Sequence, residues 1–150
     1  MRSFETIAEL KDLLGQEIGV SDWIAVTQER IQLFADATND HQWIHVDVER
    51  AKSGPFGATI AHGFFTLSLL PEMAASAFTV REARMGVNYG LNKVRFPAQV
   101  PSGSRLRGHF KLVGYEPLEG GAQITVQVTM EREGSDKPVC IAESLSRRYA

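Results

Sequence analysis

The segment from His62 to about Phe78 constrains the fold more than any other stretch of the chain. It predicts a helix with apolar side chains on nearly every face: Phe64, Phe65, Leu67, Leu69, Leu70, Met73, Ala74, Ala75 and Ala77. A helix that is apolar all round is a buried helix, so the rest of the chain has to cover it. Pro71 lies inside this segment and removes one backbone hydrogen bond, which predicts a kink or a break near that position.

Everything after Arg84 has the pattern of antiparallel strands. The expected strands span residues 85–96, 105–115, 122–133 and 139–149, and a shorter strand at 18–26 precedes the helix. Apolar and polar residues alternate along these segments, as they do in strands with one buried face. A buried helix and a long antiparallel sheet predict an α+β fold in which the sheet wraps the helix, within one domain covering residues 1–150. The sheet edge left unpaired favours pairing with a second copy, so we expect a homodimer.

Shorter helices are expected before the central one. Apolar residues spaced through Phe4–Leu14 predict a short amphipathic helix. Thr27 is a suitable N-cap for a second helix that ends before the turn-forming residues Thr38, Asn39 and Asp40. Asp47 is expected to cap a third, ended by Gly54 and Pro55.

Composition and charge exclude several classes of protein. The formal net charge is −2 and the sequence pI is about 6.1, so no broad basic surface is available for nucleic acid. The single cysteine, Cys140, excludes an internal disulfide and lies among apolar residues, which predicts a buried structural thiol. The N-terminal residues do not resemble a signal peptide, and no stretch is apolar enough to span a bilayer. We therefore expect a cytoplasmic protein without a membrane partner.

Asp40, His45 and Gly63 are the candidate catalytic residues. A carboxylate and an imidazole five positions apart in a polar loop can both reach one small reactant, such as a water molecule. Gly63 begins the apolar helix, where a bare backbone N–H can face an oxygen that gains negative charge. The three residues together indicate an acid–base enzyme that acts on a carbonyl compound.

A metal site is the alternative interpretation of the same loop. His41 and His45 have the H-x-x-x-H spacing, and Asp40, Asp47 or His62 would complete a ligand set. The zinc protease motif, however, has a glutamate where this chain has Gln42, and the segment lies beside helix-breaking residues rather than within a long helix. The pattern therefore favours a site without metal.

Three separated motifs resemble one known family. They are DHQWIHVD at residues 40–47, GPFGATIAHGF at 54–64 and NYGLNKVRFPAQVPSGSRLRG at 88–108. In this order they resemble the MaoC-like dehydratases, and within them the single-hotdog (R)-specific enoyl-CoA hydratases and nodulation protein N-like proteins. The resemblance extends from about Phe4 to Arg148. It implies the hotdog fold, in which an antiparallel sheet wraps a long central helix.

The resemblance also implies an activity and a set of site residues. It implies hydration of trans-2-enoyl-CoA to (R)-3-hydroxyacyl-CoA, with Asp40 and His45 as the acid–base pair and the Gly63 N–H facing the thioester oxygen. Coenzyme A is then part of the substrate and no cofactor is expected; an acyl carrier protein is the alternative carrier. The residues expected to bind substrate are Gln42, Trp43, Phe56, His62, Ser68, Asn88, Lys93 and Arg95, with Arg105 and Arg107 as further candidates for phosphates.

The chain departs from the commoner hydratase pattern at one place. Gln42 and Trp43 stand where that pattern has Asn-Pro, so Gln42 would have to position the water. Two other functions remain open. A hotdog thioesterase would need an acidic residue on the central helix, for which Glu72 is the only candidate. A non-catalytic dimer that binds acyl-CoA would not need Asp40, His45 and Gly63 together.

Overall fold

The computed structural model describes all 150 residues. The strands are β1 (Arg2–Phe4), β2 (Glu17–Val20), β3 (Ile24–Val26), β4 (Phe78–Val80), β5 (Met85–Arg95), β6 (Ser104–Leu118), β7 (Gly121–Arg132) and β8 (Cys140–Tyr149). The helices are α1 (Gln28–Thr38), α2 (Trp43–Val46), α3 (Val48–Lys52), α4 (Gly63–Ser68) and α5 (Leu70–Ala77), and residues Ala8–Leu13 form a 3₁₀ helix. None of the helices is long and apolar enough to cross a membrane.

Six strands form one antiparallel sheet in the order β2-β6-β7-β8-β5, and β3 pairs with a second part of β6. The long strands β6 and β7 pair from Leu106↔Arg132 to Leu118↔Gly121. The alternating pattern predicts which side chains of β6 face the core, and Leu106, Phe110 and Leu112 are indeed buried. At the other end of the sheet, β5 pairs only with β8, so its outer edge has no partner. The expected α+β architecture is confirmed.

The central helix is interrupted, close to the expected place. Helix α4 ends at Ser68 and α5 begins at Leu70, with Pro71 in the first turn of α5. Proline fits that position because the first N–H groups of a helix have no helical partner. The inner face of the central helix carries Phe65, Leu69, Met73 and Ala77. These residues are four positions apart, and each is at most 6% exposed.

Three sequence-based expectations are wrong in detail. Phe64 does not join the core but is 73% exposed, so the central helix is not buried on every face. Residues 4–14 form a strand end and a 3₁₀ helix instead of an α-helix. Ile7 and Leu10 are buried three positions apart, a spacing that suits the three residues per turn of a 3₁₀ helix. The expected strand at 18–26 is two strands, each pairing with a different part of β6.

Candidate active site

Asp40 is held in a tight turn after α1. Thr27 caps the start of this helix by accepting a hydrogen bond from the Arg30 N–H at 3.2 Å. Asn39 ends the helix in the left-handed conformation (φ 58°), which asparagine tolerates better than most residues. The exposed Asp40 follows, and its Oδ1 accepts a hydrogen bond from the Gln42 N–H at 3.3 Å. The carboxylate therefore keeps an oxygen available to a reactant.

His45 lies in the short helix α2 and is only 6% exposed. Its Nδ1 is 2.7 Å from the backbone carbonyl oxygen of Ile60. Because a carbonyl can only accept, Nδ1 carries the proton and Nε2 keeps its lone pair. Burial lowers the pKa of His45 from its ordinary value, and the neighbouring His62 lowers it further, whereas the Ile60 carbonyl and Asp40 oppose the shift. The imidazole is therefore neutral near pH 7 and can accept a proton.

His62 closes this small cluster from the side of the central helix. Its ring stacks on that of His45, with 3.8 Å between centroids, and its Nε2 donates to the backbone oxygen of Asp40 at 3.0 Å. Its buried Nδ1 has no hydrogen-bond partner. The ligating atoms of Asp40, His45 and His62 all lie within 4.8 Å of one another. The fold thus brings together the carboxylate and the imidazole that the spacing singled out.

Gly63 comes directly after His62 and is the first residue of α4. Its N–H therefore has no partner within the helix. A Cβ at this position would lie 3.1 Å from the Phe96 ring, so the absence of a side chain lets that ring pack against the start of the helix.

Gln28 is a residue of this site that the sequence did not single out. Its amide nitrogen donates to the His45 carbonyl at 2.7 Å, and its amide oxygen accepts from the Thr59 hydroxyl at 2.5 Å. Gln28 thereby ties α1, α2 and the loop before α4 together. No sequence motif marks it, because its two partners lie 17 and 31 positions away.

The other two residues of the alternative metal site, His41 and Asp47, bond to neighbouring residues outside the cluster. His41 contacts Asp36 at 2.8 Å and not the cluster around His45. Asp47 caps α3 by accepting from the Arg50 N–H at 3.0 Å, as expected. A cation would therefore have to use Asp40, His45 and His62, and not the H-x-x-x-H pair.

The predicted substrate-binding residues spread over three places. Gln42 is exposed beside Asp40, and the Trp43 ring lies against Gly54 with the Arg50 guanidinium 4.1 Å above it. Phe56 is 42% exposed in the loop before α4.

The second place is a cavity of about 370 Å³ lined by both Ser68 and Asn88. The Ser68 hydroxyl donates to the Phe65 carbonyl at 2.6 Å. The third place is the far end of β5, where Lys93 and Arg95 are exposed.

Three further candidates have charged partners on the outer surface. Arg105 pairs with Glu133 at 3.1 Å and Arg107 with Glu131 at 2.8 Å, so their charges are already balanced. Hydrogen bonds from Arg107 and His109 also lower the pKa of Glu131. Glu72, the acid that a thioesterase would need, pairs with Arg30 at 2.9 Å.

A family model described as the MaoC like domain matches residues 9–134. The chain belongs to the MaoC-like dehydratase family. It is therefore an enzyme of the hydro-lyase class, and the resemblance of its three motifs is confirmed.

This MaoC-like dehydratase is 58% identical over 151 residues to the 3-hydroxyacyl-thioester dehydratase Z of Mycobacterium tuberculosis, with all of both chains covered. It is 49% identical to nodulation protein N of Rhizobium leguminosarum over 91% of this chain and 87% of that protein. Among solved structures, it superposes on the unliganded R-hydratase PhaJ1 of Pseudomonas aeruginosa with a TM-score of 0.73 and 21% identity, over 96% of this chain and 85% of that one. The last likeness concerns the fold alone and confirms the hotdog architecture.

Proposed function

We propose that this MaoC-like dehydratase adds water across the double bond of trans-2-enoyl thioesters, giving (R)-3-hydroxyacyl thioesters, and catalyses the reverse reaction. The observation that carries the proposal is the convergence of the Asp40 carboxylate and the His45 imidazole within 4.8 Å. The name of the mycobacterial relative, a 3-hydroxyacyl-thioester dehydratase, supports the substrate class. The (R) configuration rests on the resemblance of the motifs.

The proposed reaction uses one water molecule between the two side chains. His45 Nε2 accepts a proton while the water oxygen bonds to the β-carbon, and Asp40 accepts a hydrogen bond from the second water proton. The Asp40 carboxylate also stabilises the imidazolium that forms. The imidazolium then returns the proton to the α-carbon, so that one water is added in total. In the reverse direction the same groups remove it.

The thioester oxygen gains negative charge during this step. Gly63 at the start of α4 offers a backbone N–H without a helical partner for that oxygen. The carrier is coenzyme A or an acyl carrier protein, and the exposed Lys93 and Arg95 are the cations proposed to meet its phosphates. No cofactor takes part in this reaction.

Substitution of the two side chains tests the proposal. Asp40→Asn and His45→Ala are each expected to lower kcat for hydration of crotonyl-CoA by roughly 10²–10⁴-fold, because acid–base groups typically contribute that much. The measurement is the loss of enoyl-thioester absorbance, with circular dichroism to verify folding.

The chain offers a matched control for these variants. Asp36 and His41 are also an aspartate and a histidine five positions apart, and they bond each other at the surface. Asp36→Asn and His41→Ala are expected to retain full turnover. Near wild-type activity in both Asp40→Asn and His45→Ala would refute the proposed pair.

We also propose that the enzyme is a homodimer joined through the free edge of β5. This strand has eleven residues and no partner on its outer side. Long unpaired edges with exposed apolar side chains are rare in isolated subunits, because they promote association.

A further inference from the structure

A second, larger cavity of about 440 Å³ lies between α5 and the sheet. It adjoins the cavity that contains Ser68, because both are lined by Leu70, Pro71, Asn88 and Ser144. The smaller cavity begins at Leu67, which is one helical turn beyond Gly63. The two cavities together therefore lie along the central helix from Leu67 to Ala75.

The floor of the larger cavity is polar although it faces the core. On β8, Ser144, Ser146 and Arg148 pair with the buried residues Val126, Ile124 and Ala122 of β7. Small hydroxyl side chains thus stand at inward positions where large apolar ones would fill the space. The helix α5 contributes an apolar roof on the opposite side. Such a cavity suits a chain that is apolar along its length and polar at its end.

Arg148 supplies a positive charge at this floor without a negative partner. Its guanidinium lies beside Gly86, where a Cβ would be 3.3 Å from Nη1, and its buried Nε has no hydrogen-bond partner. Burial lowers the pKa of Arg148. The cavity lining holds a second arginine, Arg84, and no aspartate or glutamate. A partly buried guanidinium without an acid is costly, and an anionic ligand would compensate it.

We propose that the larger cavity binds the distal end of the acyl chain and that Arg148 binds a carboxylate at that end. The substrate class is then an enoyl thioester with a terminal carboxylate. This inference rests on the proposed hydratase function. Ala74, which lines the larger cavity, is eleven positions after Gly63, about 16.5 Å at the rise of an α-helix, so we expect only a long acyl chain to reach this cavity. Short substrates such as crotonyl-CoA do not.

Matched pairs of substrates test this inference. Each pair contains two trans-2-enoyl-CoA thioesters of equal chain length, one ending in a methyl group and one in a carboxylate, at short, medium and long lengths. At the long lengths, the wild-type enzyme is expected to have at least about tenfold higher kcat/KM for the carboxylate, since a charge-assisted hydrogen bond contributes that much. Arg148→Gln is expected to abolish this preference and to leave crotonyl-CoA turnover unchanged.

Arg147→Gln is the matched control, because it removes the same charge one position away. The Arg147 side chain bonds Gln123 and lies 3.8 Å over the Tyr89 ring, and it does not line the cavity. The carboxylate preference is expected to survive in this variant. Should Arg148→Gln fail to fold, Arg84→Gln takes its place and is expected to weaken the preference.

The outcomes separate this inference from the hydratase proposal. A preference for the methyl terminus at every length, or a carboxylate preference that persists in Arg148→Gln, overturns the role of Arg148. If crotonyl-CoA is not hydrated, the function fails and the cavity is tested by binding instead. Sebacate is then expected to raise the Tm of the wild type but not of Arg148→Gln, and the uncharged diol of the same length to raise neither; no Tm shift with sebacate overturns the inference.

Discussion

The tautomer of His45 follows from a single hydrogen bond. The Ile60 carbonyl, 2.7 Å from Nδ1, selects the tautomer whose other nitrogen can accept a proton. The stacked ring of His62 limits rotation of the imidazole, and the His62 Nε2 also holds the backbone of Asp40. His62 therefore positions both members of the proposed pair.

The lowered pKa of His45 makes stability depend on pH. Burial is the largest cause of the shift from the ordinary value of 6.5. Below pH 6.5 the unfolded chain binds a proton at this residue more readily than the folded protein, so stability is expected to fall as the pH falls through this range. Urea unfolding of the wild type and His45→Gln, at a series of pH values, measures the difference.

The exposed His41 provides the control for this experiment. His41→Gln is expected to retain the wild-type loss of stability below pH 6.5, whereas His45→Gln reduces it. If the free energy of unfolding depends on pH equally in the wild type and in His45→Gln, burial of this imidazole does not make stability depend on pH. The acid limb of kcat/KM is expected below the same pH, because the proposed base must be neutral.

Residue types and spacing were sufficient to predict that the Asp40 and His45 side chains lie close together, because the two residues are only five positions apart. They were not sufficient for Gln28, whose partners come from two later segments. The sequence also leaves open which groups a charged side chain meets. Arginine is a residue type that commonly binds phosphate, but Arg107 is paired with Glu131 on the neighbouring strand.

Among the secondary-structure elements, helix α1 supports the site although neither Asp40 nor His45 lies in it. Its first residue, Gln28, satisfies both the His45 carbonyl and the buried Thr59 hydroxyl. Gln28→Ala is expected to lower the free energy of unfolding by about 1–3 kcal/mol, because both groups lose their partner. It is also expected to lower kcat more than it raises KM, since the His45 backbone is no longer held.

Gln32→Ala is the comparison for that variant. Gln32 lies one turn further along the same helix, where its side chain bonds the exposed Asp36 at 3.0 Å. Surface substitutions of this kind are expected to change stability by no more than about 0.5 kcal/mol. Chemical denaturation and steady-state kinetics of the two variants, measured side by side, test whether Gln28 positions the His45 backbone. Indistinguishable results for Gln28→Ala and Gln32→Ala would contradict a positioning role.

The long elements were predictable because their periodicity is strong. The alternation in β6 and β7 identified the buried face, and Pro71 identified the interruption of the central helix within two residues. The type of the short N-terminal helix was not predictable, because apolar residues at every third or fourth position fit both an α-helix and a 3₁₀ helix. Tertiary contacts with the core decide between them.

At the scale of the whole molecule, the longest row of exposed apolar residues follows strand β5. Along β5, Met85, Val87, Tyr89 and Leu91 are between 44% and 57% exposed. Phe64, at the start of the central helix, is 73% exposed. The proposed second subunit would cover Phe64, which accounts for an apolar pattern that a single chain leaves exposed.

A charge on this strand tests the proposed dimer. Val87→Lys places an ammonium group beside the edge that has no partner strand, and it is expected to shift the protein from dimer to monomer in sedimentation velocity at micromolar concentration. Leu33→Lys is the control, because Leu33 is 68% exposed on α1 and lies outside β5. It is expected to sediment as the wild type does. A wild type that is monomeric, or a Val87→Lys variant that remains dimeric while folded, would exclude this edge as the interface.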